Sequence, residues 1–257
     1  MKVLLLGATG HLGGHLADRL SNTFSIAIAG RVDVTNERNI ARIVDDASPT
    51  VVVNAIGAPP TAELATLKTV NAEFPRRLAA IAAARGTRVV HLSSDAVFSG
   101  RRGNYAEEDT VDPIDDYGRS KHAGELAPPH LTIRTSFFGR NRRGTGLVEW
   151  LVRQRGTVAG FEDYWFTGMS ATIVADLIVD AIAAELEGLW HVGGDPVNKY
   201  ELLVAVADHL GLDVNVTPVR NGAVDRTLSS ARFFAAIGRR PPTLLDSLET
   251  LHACSPV

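Results

Sequence analysis

The segment "DDYGRSKHAGE" (115–125) places a tyrosine and a lysine four positions apart, at Tyr117 and Lys121. On a helix that spacing puts both side chains on one face. A free tyrosine has a pKa of about 10 and is a poor proton carrier at neutral pH. A nearby ammonium favours the phenolate and lowers that pKa. The pair therefore reads as a tuned proton donor, fit to work beside a hydride donor. Upstream, "HLSSDAVF" (91–98) supplies Ser93, Ser94 and Asp95 at the end of an apolar run. A hydroxyl there can hold a carbonyl oxygen while Tyr117 delivers the proton.

A hydride donor needs a dinucleotide site, and the first residues read as one. "GATGHLG" sets Gly7, Gly10 and Gly13 between an apolar run and a helical pattern. The first glycine permits the turn, the second lets a diphosphate approach the backbone, and the third lets helix pack on strand. Thr9, His11 and Leu12 complete the loop, and the helix start offers free N–H groups to phosphate. The next strand ends "AGRVDV". Arg31 there can clamp a 2′-phosphate, which favours NADP over NAD, while Asp33 could contact adenine or oppose the phosphate. Asn54, Ala55, Ile56 and Gly57 end a third strand at the same edge, and their small size suits close approach to the cofactor.

Positioning these residues takes alternating strands and helices. Strands are expected at 2–8, 24–30, 50–57, 87–94 and 130–139, with a late one at 188–194. Helices follow the glycine motif and cover "ERNIARIVDDA", 72–86, and the segment carrying Tyr117. Others are expected at 145–155, 171–186, 198–211 and 243–253. This alternation is the signature of an α/β fold with a Rossmann-type doubly wound parallel sheet. The organisation expected is a dinucleotide-binding core over 1–140, with 171–194 returning to it. A smaller C-terminal substrate-binding region takes 141–170 and 195–257.

The 257 residues carry 26 basic and 29 acidic side chains, so no charge bias draws the chain to nucleic acid or membrane. The short basic runs at 101–103 and 140–144 read as solvated loops, with phosphate contact the alternative. Cys254 is the only cysteine, which excludes an internal disulfide and fits a cytoplasmic setting. The most apolar segment, 171–190, is broken by Asp176, Asp180, Glu185 and Glu187 and reads as amphipathic rather than membrane-spanning. No histidine spacing suggests a metal site.

"GATGHLG", "SSDAVF", "YGRSK" and "IRTSFFG", in this order and at these spacings, resemble the extended short-chain dehydrogenase/reductase superfamily. Within it the chain is most similar to dTDP-4-dehydrorhamnose reductases, well over residues 1 to about 140 and less specifically beyond. The resemblance implies a catalytic set of Ser94, Tyr117 and Lys121, with NADP or NAD as cofactor. Lys121 would also hold the nicotinamide ribose. Asn71 matches an asparagine that serves as structural support or water relay. Ala96 stands where the family has tyrosine, which leaves the sugar open. The residue after Asp95 is not the glutamate of the 4,6-dehydratases, so dehydration is not expected. Substrate contacts are expected from Asp95, Thr135, Ser136, Trp165 and Arg226, with Arg226 taking a diphosphate or a surface ion pair; Tyr164, Trp165 and Phe166 could stack on a base or sugar, the alternative being that Trp165 and Phe166 fill the inter-domain core. The activity implied is reduction of a nucleotide-linked 4-keto-6-deoxy sugar. An epimerase retaining NAD and a non-catalytic NADP-binding regulatory subunit are the alternatives, and a homodimer is left open.

Overall fold

The computed structural model describes residues 1–251. The strands of the first half are β1 (Lys2–Leu6), β2 (Ser25–Ile28), β3 (Val51–Asn54), β4 (Arg88–Ser94) and β5 (Leu131–Thr135). The second half adds β6 (Phe137–Phe138), β7 (Gly156–Phe161), β8 (Tyr164–Phe166) and β9 (Met169–Ser170). It ends with β10 (Gly188–Val192), β11 (Val197–Asn198), β12 (Val214–Val219) and β13 (Val224–Asp225). Six of these form one sheet in the order β10-β5-β4-β3-β1-β2, and every neighbouring pair is parallel. The chain leaves β1 for β2 on one side and returns to β3 on the other. That reversal opens a crevice at the carboxyl ends of β1 and β3, where ligands of such sheets bind.

Why these runs become central strands follows from two-sided burial. Val3 and Leu5 of β1 enter one core and Leu4 and Leu6 the other. Each such side chain contributes roughly 1.5–3 kcal/mol on burial. The first core is closed by α1 (His11–Thr23), and the second by α2 (Glu37–Ala47). Two short turns of helix, α3 (Leu64–Leu67) and a π-helical stretch Lys68–Glu73, lead into α4 (Phe74–Ala83), which also covers the second core. Gly86, expected as a helix stop, does take a left-handed φ of +65° just beyond α4.

The helix of the tyrosine and lysine is α5 (Asp116–Ala123). Asp115 caps it, accepting from the Gly118 N–H at 2.6 Å. Then come α6 (Leu147–Val152), α7 (Ala171–Ala183), α8 (Lys199–Leu210), α9 (Ala231–Ile237) and α10 (Leu244–Glu249). Helix α7 and β10 join the first core, as do Phe233 and Phe234 of α9. A separate apolar cluster joins α6, α8 and α10 through Val148, Leu151, Leu202, Val206 and Leu248.

The stretches 161–171 and 219–230, where no strand is expected from the sequence, hold β8, β9 and β13. The expected helix 243–253 spans Leu244–Glu249, and its last two expected positions lie outside the described residues, as does Cys254. Among the described residues no helix is long and apolar enough to cross a membrane.

Candidate active site

Strand β4 delivers the two serines to different tasks. The Ser93 hydroxyl donates to Glu125 Oε1 at 2.8 Å. Glu125 is also gripped by Arg134, whose Nε and Nη2 donate at 2.7 and 2.9 Å. Ser93 is therefore spent on a buried ion pair. Ser94 points the other way: its hydroxyl donates to Asp95 Oδ1 at 3.1 Å and accepts from the Ala96 N–H at 3.1 Å. It also shares a hydrogen bond with the Tyr117 phenol.

Helix α5 can bring Tyr117 this close because Gly118 has no side chain. A Cβ at Gly118 would lie 2.1 Å from the Ala96 carbonyl oxygen. Gly124, at the other end, would meet the Asn71 carbonyl at 1.9 Å. Asn71 then braces the assembly. Its side chain accepts from the Ala58 N–H at 2.8 Å and donates to Ala58 O and to Ser120 Oγ, each at 3.1 Å. Ser120 Oγ in turn donates to the Tyr117 carbonyl at 2.8 Å. The asparagine thus ties the end of β3 to the tyrosine helix, which is the structural of its two expected roles.

Burial pushes the Tyr117 phenol up to about 12; the bond with Ser94 opposes the rise, and the charges of Asp95 and Asp115 add to it. Lys121 is buried and its Nζ donates to the Leu92 carbonyl at 2.5 Å. Desolvation lowers it to about 8, with Glu125 acting the other way. The ammonium was expected to lower the tyrosine. Here it is turned to the strand carbonyl instead, and burial decides the phenol's titration.

Asp95 is buried with a raised pKa, chiefly from desolvation, opposed by Arg226, by hydrogen bonds from Ser94 and Ser136, and by Lys199. Ser136 and Arg226 were expected in the site and stand beside Asp95. Thr135 is buried one residue earlier and its hydroxyl reaches only the Ser136 carbonyl, at 3.5 Å. Arg226 Nη1 donates to the Tyr164 hydroxyl at 3.4 Å, Nη2 lies 3.9 Å from Asp115, and Nε is buried with no hydrogen-bond partner. Lys199 Nζ sits 3.4 Å over the Tyr164 ring.

Strand β8 sends its aromatic residues to two sides. Successive residues of a strand face opposite sides. Tyr164 faces the Asp95 cluster, so Trp165 faces away, into a cleft of about 690 Å³ with Arg101, Asn198, Tyr200 and Asp225. Lys199 was missed as a site residue. A lysine opening a helix reads as surface in sequence, and only the fold brings it to Asp95.

At the glycine loop, Gly7 takes φ +86°, and a Cβ there would lie 2.9 Å from the Ala55 backbone. A Cβ at Gly13 would lie 2.0 Å from Gly7 O. Helix α1 begins with no side-chain cap and no acidic residue in its first turn, so its leading N–H groups point to an anion's place. The surroundings fit a dinucleotide diphosphate. Thr9 is exposed there and Gly10 partly so. His11 opens the helix with its ring edge-on to Phe137, 5.2 Å between centroids, and burial lowers it to about 4. The Leu12 side chain lies in the core, so only its backbone can face a ligand.

Past β2, Arg31 is exposed, and near enough to Asp33 to help hold that carboxyl below its usual range. Asp33 itself is occupied by Thr35, whose N–H and hydroxyl donate at 3.0 and 2.6 Å. At the end of β3, Ala55, Ile56 and Gly57 keep open surface. The Asn54 side chain does not. It is fully buried between His91 Nδ1, at 3.2 Å, and the Ile56 N–H, at 3.1 Å.

Residues 1–232 match the family model of the RmlD substrate binding domain. A dTDP-4-keto-6-deoxy-D-glucose reductase of Streptomyces niveus is 34% identical over 205 residues, 73% of this chain and 71% of that protein. A dTDP-4-dehydrorhamnose reductase of Salmonella typhimurium is 30% identical over 234 residues, 81% of this chain and 78% of that one. The fold matches the crystal structure of dTDP-4-dehydrorhamnose reductase from Bacillus anthracis in complex with NADP, with a TM-score of 0.87 and 24% identity over 97% and 98% of the two chains. The match to the family model takes in the sheet, the glycine loop and the Ser94–Tyr117–Lys121 cluster alike, and the chain belongs to the RmlD substrate-binding-domain family.

Proposed function

We propose that this protein is an NAD(P)H-dependent reductase of a nucleotide-linked 4-keto-6-deoxy sugar, of the dTDP-4-dehydrorhamnose reductase kind. The observation that carries the reading is the hydrogen-bonded Ser94–Tyr117 pair beside Asp95, with Lys121 buried behind it, at the carboxyl edge of a sheet with a glycine loop. A bound nicotinamide supplies the hydride. Gly7, Gly10, Gly13 and the α1 N-terminus would hold its diphosphate, and Arg31 a 2′-phosphate, which favours NADP.

Ser94 and Tyr117 together present two hydroxyls to one carbonyl oxygen. Burial keeps the phenol protonated, which is the form a proton donor must start in. Hydride would form a C–H bond at the carbonyl carbon and send the C=O π pair to the oxygen; the alkoxide is a stronger base than phenolate, so the proton passes to it from Tyr117. Lys121 keeps a positive charge against the strand end up to about pH 8, where the phenolate left behind would need it. Arg226 and Lys199 give the floor near Asp95 a positive character suited to a substrate with a diphosphate. A cytoplasmic setting fits the same reading.

The test is absorbance of the reduced nicotinamide with dTDP-4-keto-6-deoxyhexoses. Sugar-dependent oxidation that Tyr117→Phe abolishes supports the reductase. Oxidation of neither NADPH nor NADH, despite tight cofactor binding, refutes it and turns the reading to an epimerase or a regulatory binder.

A further inference from the structure

The basic run "RNRRG" (140–144) lies against the glycine loop, with Arg142 and Arg143 exposed at its rim. A cavity of about 360 Å³ is walled by Thr9, Gly10 and Gly14 on one side and by Asn141, Arg142 and Arg143 on the other. Arg143 reaches across it: Nε donates to the Thr9 carbonyl at 2.9 Å and Nη2 to its hydroxyl at 3.3 Å.

This loop is built, not draped. The Asn141 carbonyl oxygen of the side chain accepts from the Arg143 N–H at 3.0 Å, and its Nδ2 donates to Thr145 O at 2.6 Å. Glu149 accepts from the Asn141 N–H at 2.8 Å and from Arg140 Nε at 2.9 Å. Arg153 ties down the Gly144 carbonyl at 2.7 Å. A Cβ at Gly139 or Gly146 would lie 3.7–3.8 Å from the His11 ring, so the loop runs close to the start of α1. The one nearby carboxylate, Glu149, is thus committed to Arg140 and Asn141. Among the described residues Arg142 has no ion-pair or hydrogen-bond partner, yet it lines the cavity.

We infer that the loop 140–146 is a second anchor for the diphosphate held at the glycine loop, with Arg143 pinning the loop to Thr9 and Arg142 supplying the neutralising guanidinium. The inference rests on the dinucleotide reading above. A helix start alone offers partial charge, and an unpaired guanidinium across the same cavity completes the recognition of an anion with two phosphates. The diphosphate could come from the cofactor or from the nucleotide sugar. The geometry favours the cofactor, since the facing wall is the glycine loop.

The experiment measures dissociation constants of the intact protein for NADPH, NADH, adenosine and dTDP by calorimetry, with Arg142→Gln and Arg143→Gln against wild type. Each variant is expected to weaken NADPH and NADH by the same factor, about tenfold for loss of one charge-assisted contact. Adenosine and dTDP should bind unchanged. Loss confined to NADPH would place the arginines at the 2′-phosphate, loss confined to dTDP would assign the loop to the substrate, and no loss would remove its role. Any of the three overturns the inference. Binding of neither dinucleotide by wild type would overturn the cofactor reading itself, which separates the two failures. Unaltered melting temperatures in the variants show that a loss is not unfolding.

Discussion

Replacing Lys121 with methionine should stabilise the protein while disabling it. The lysine is buried, and desolvation lowers its pKa from 10.5 to about 8. At about 1.4 kcal/mol per pH unit, holding the charge there costs about 3 kcal/mol when both folded and unfolded chains are protonated. Methionine removes that cost but also the bond to the Leu92 carbonyl, worth about 1 kcal/mol. The net expectation at pH 7 is a gain of about 2 kcal/mol, or a melting temperature higher by about 4–8 °C.

The sign and pH window follow from the lowered pKa. The penalty in wild type is full below about pH 8, where both states carry the charge. It fades as pH rises towards 10.5, because the folded lysine has lost its proton while the unfolded one has not. The gap between variant and wild type should therefore shrink by about 2 kcal/mol from pH 7 to pH 9.5. Urea denaturation at several pH values measures it. A variant less stable than wild type at pH 7, or a gap that does not move with pH, would refute the reasoning. Turnover of a keto sugar should fall at every pH.

Gly13→Ala should lose dinucleotide binding and about 1–3 kcal/mol of stability, because its Cβ would strike the Gly7 carbonyl. Gly30→Ala, where nothing lies within 4 Å, should stay within about 0.5 kcal/mol of wild type by thermal melting. Arg134→Met leaves Glu125 charged and buried and should cost about 3–5 kcal/mol at pH 7. Burial raises the Glu125 carboxyl and Arg134 opposes it, so without the arginine the carboxyl takes a proton more readily and that cost should shrink as pH falls, a trend that denaturation at pH 5 checks. Arg31→Ala should weaken NADPH about tenfold in a binding titration and leave NADH unchanged.

The first half of the chain is legible because its chemistry is local. Strands buried on both faces read as runs such as "VVVN", glycines mark a turn whose spacing carries its own geometry, and one helical turn relates Tyr117 to Lys121. The later strands β6, β9, β11 and β13 have two residues each, too few for any periodicity to register. Side-chain commitments are the other blind spot. Ser93 and Ser94 are adjacent and chemically identical in sequence, yet the buried Glu125–Arg134 pair claims one and frees the other. Asn54 reads as a cofactor contact until His91 is seen to occupy it. Trp165 and Tyr164 differ only in strand parity, which decides the face each takes.

The central claim is net hydride transfer with a proton from Tyr117. It is tested most directly with NADPH deuterated at C4 of the nicotinamide, a dTDP-4-keto-6-deoxyhexose, and mass spectrometry of the product. The account predicts one deuterium in each reduced sugar, in proportion to cofactor oxidised, and none formed by Tyr117→Phe. Sugar turned over without deuterium gain or cofactor oxidation would contradict it and mark the protein as an enzyme that keeps its nicotinamide.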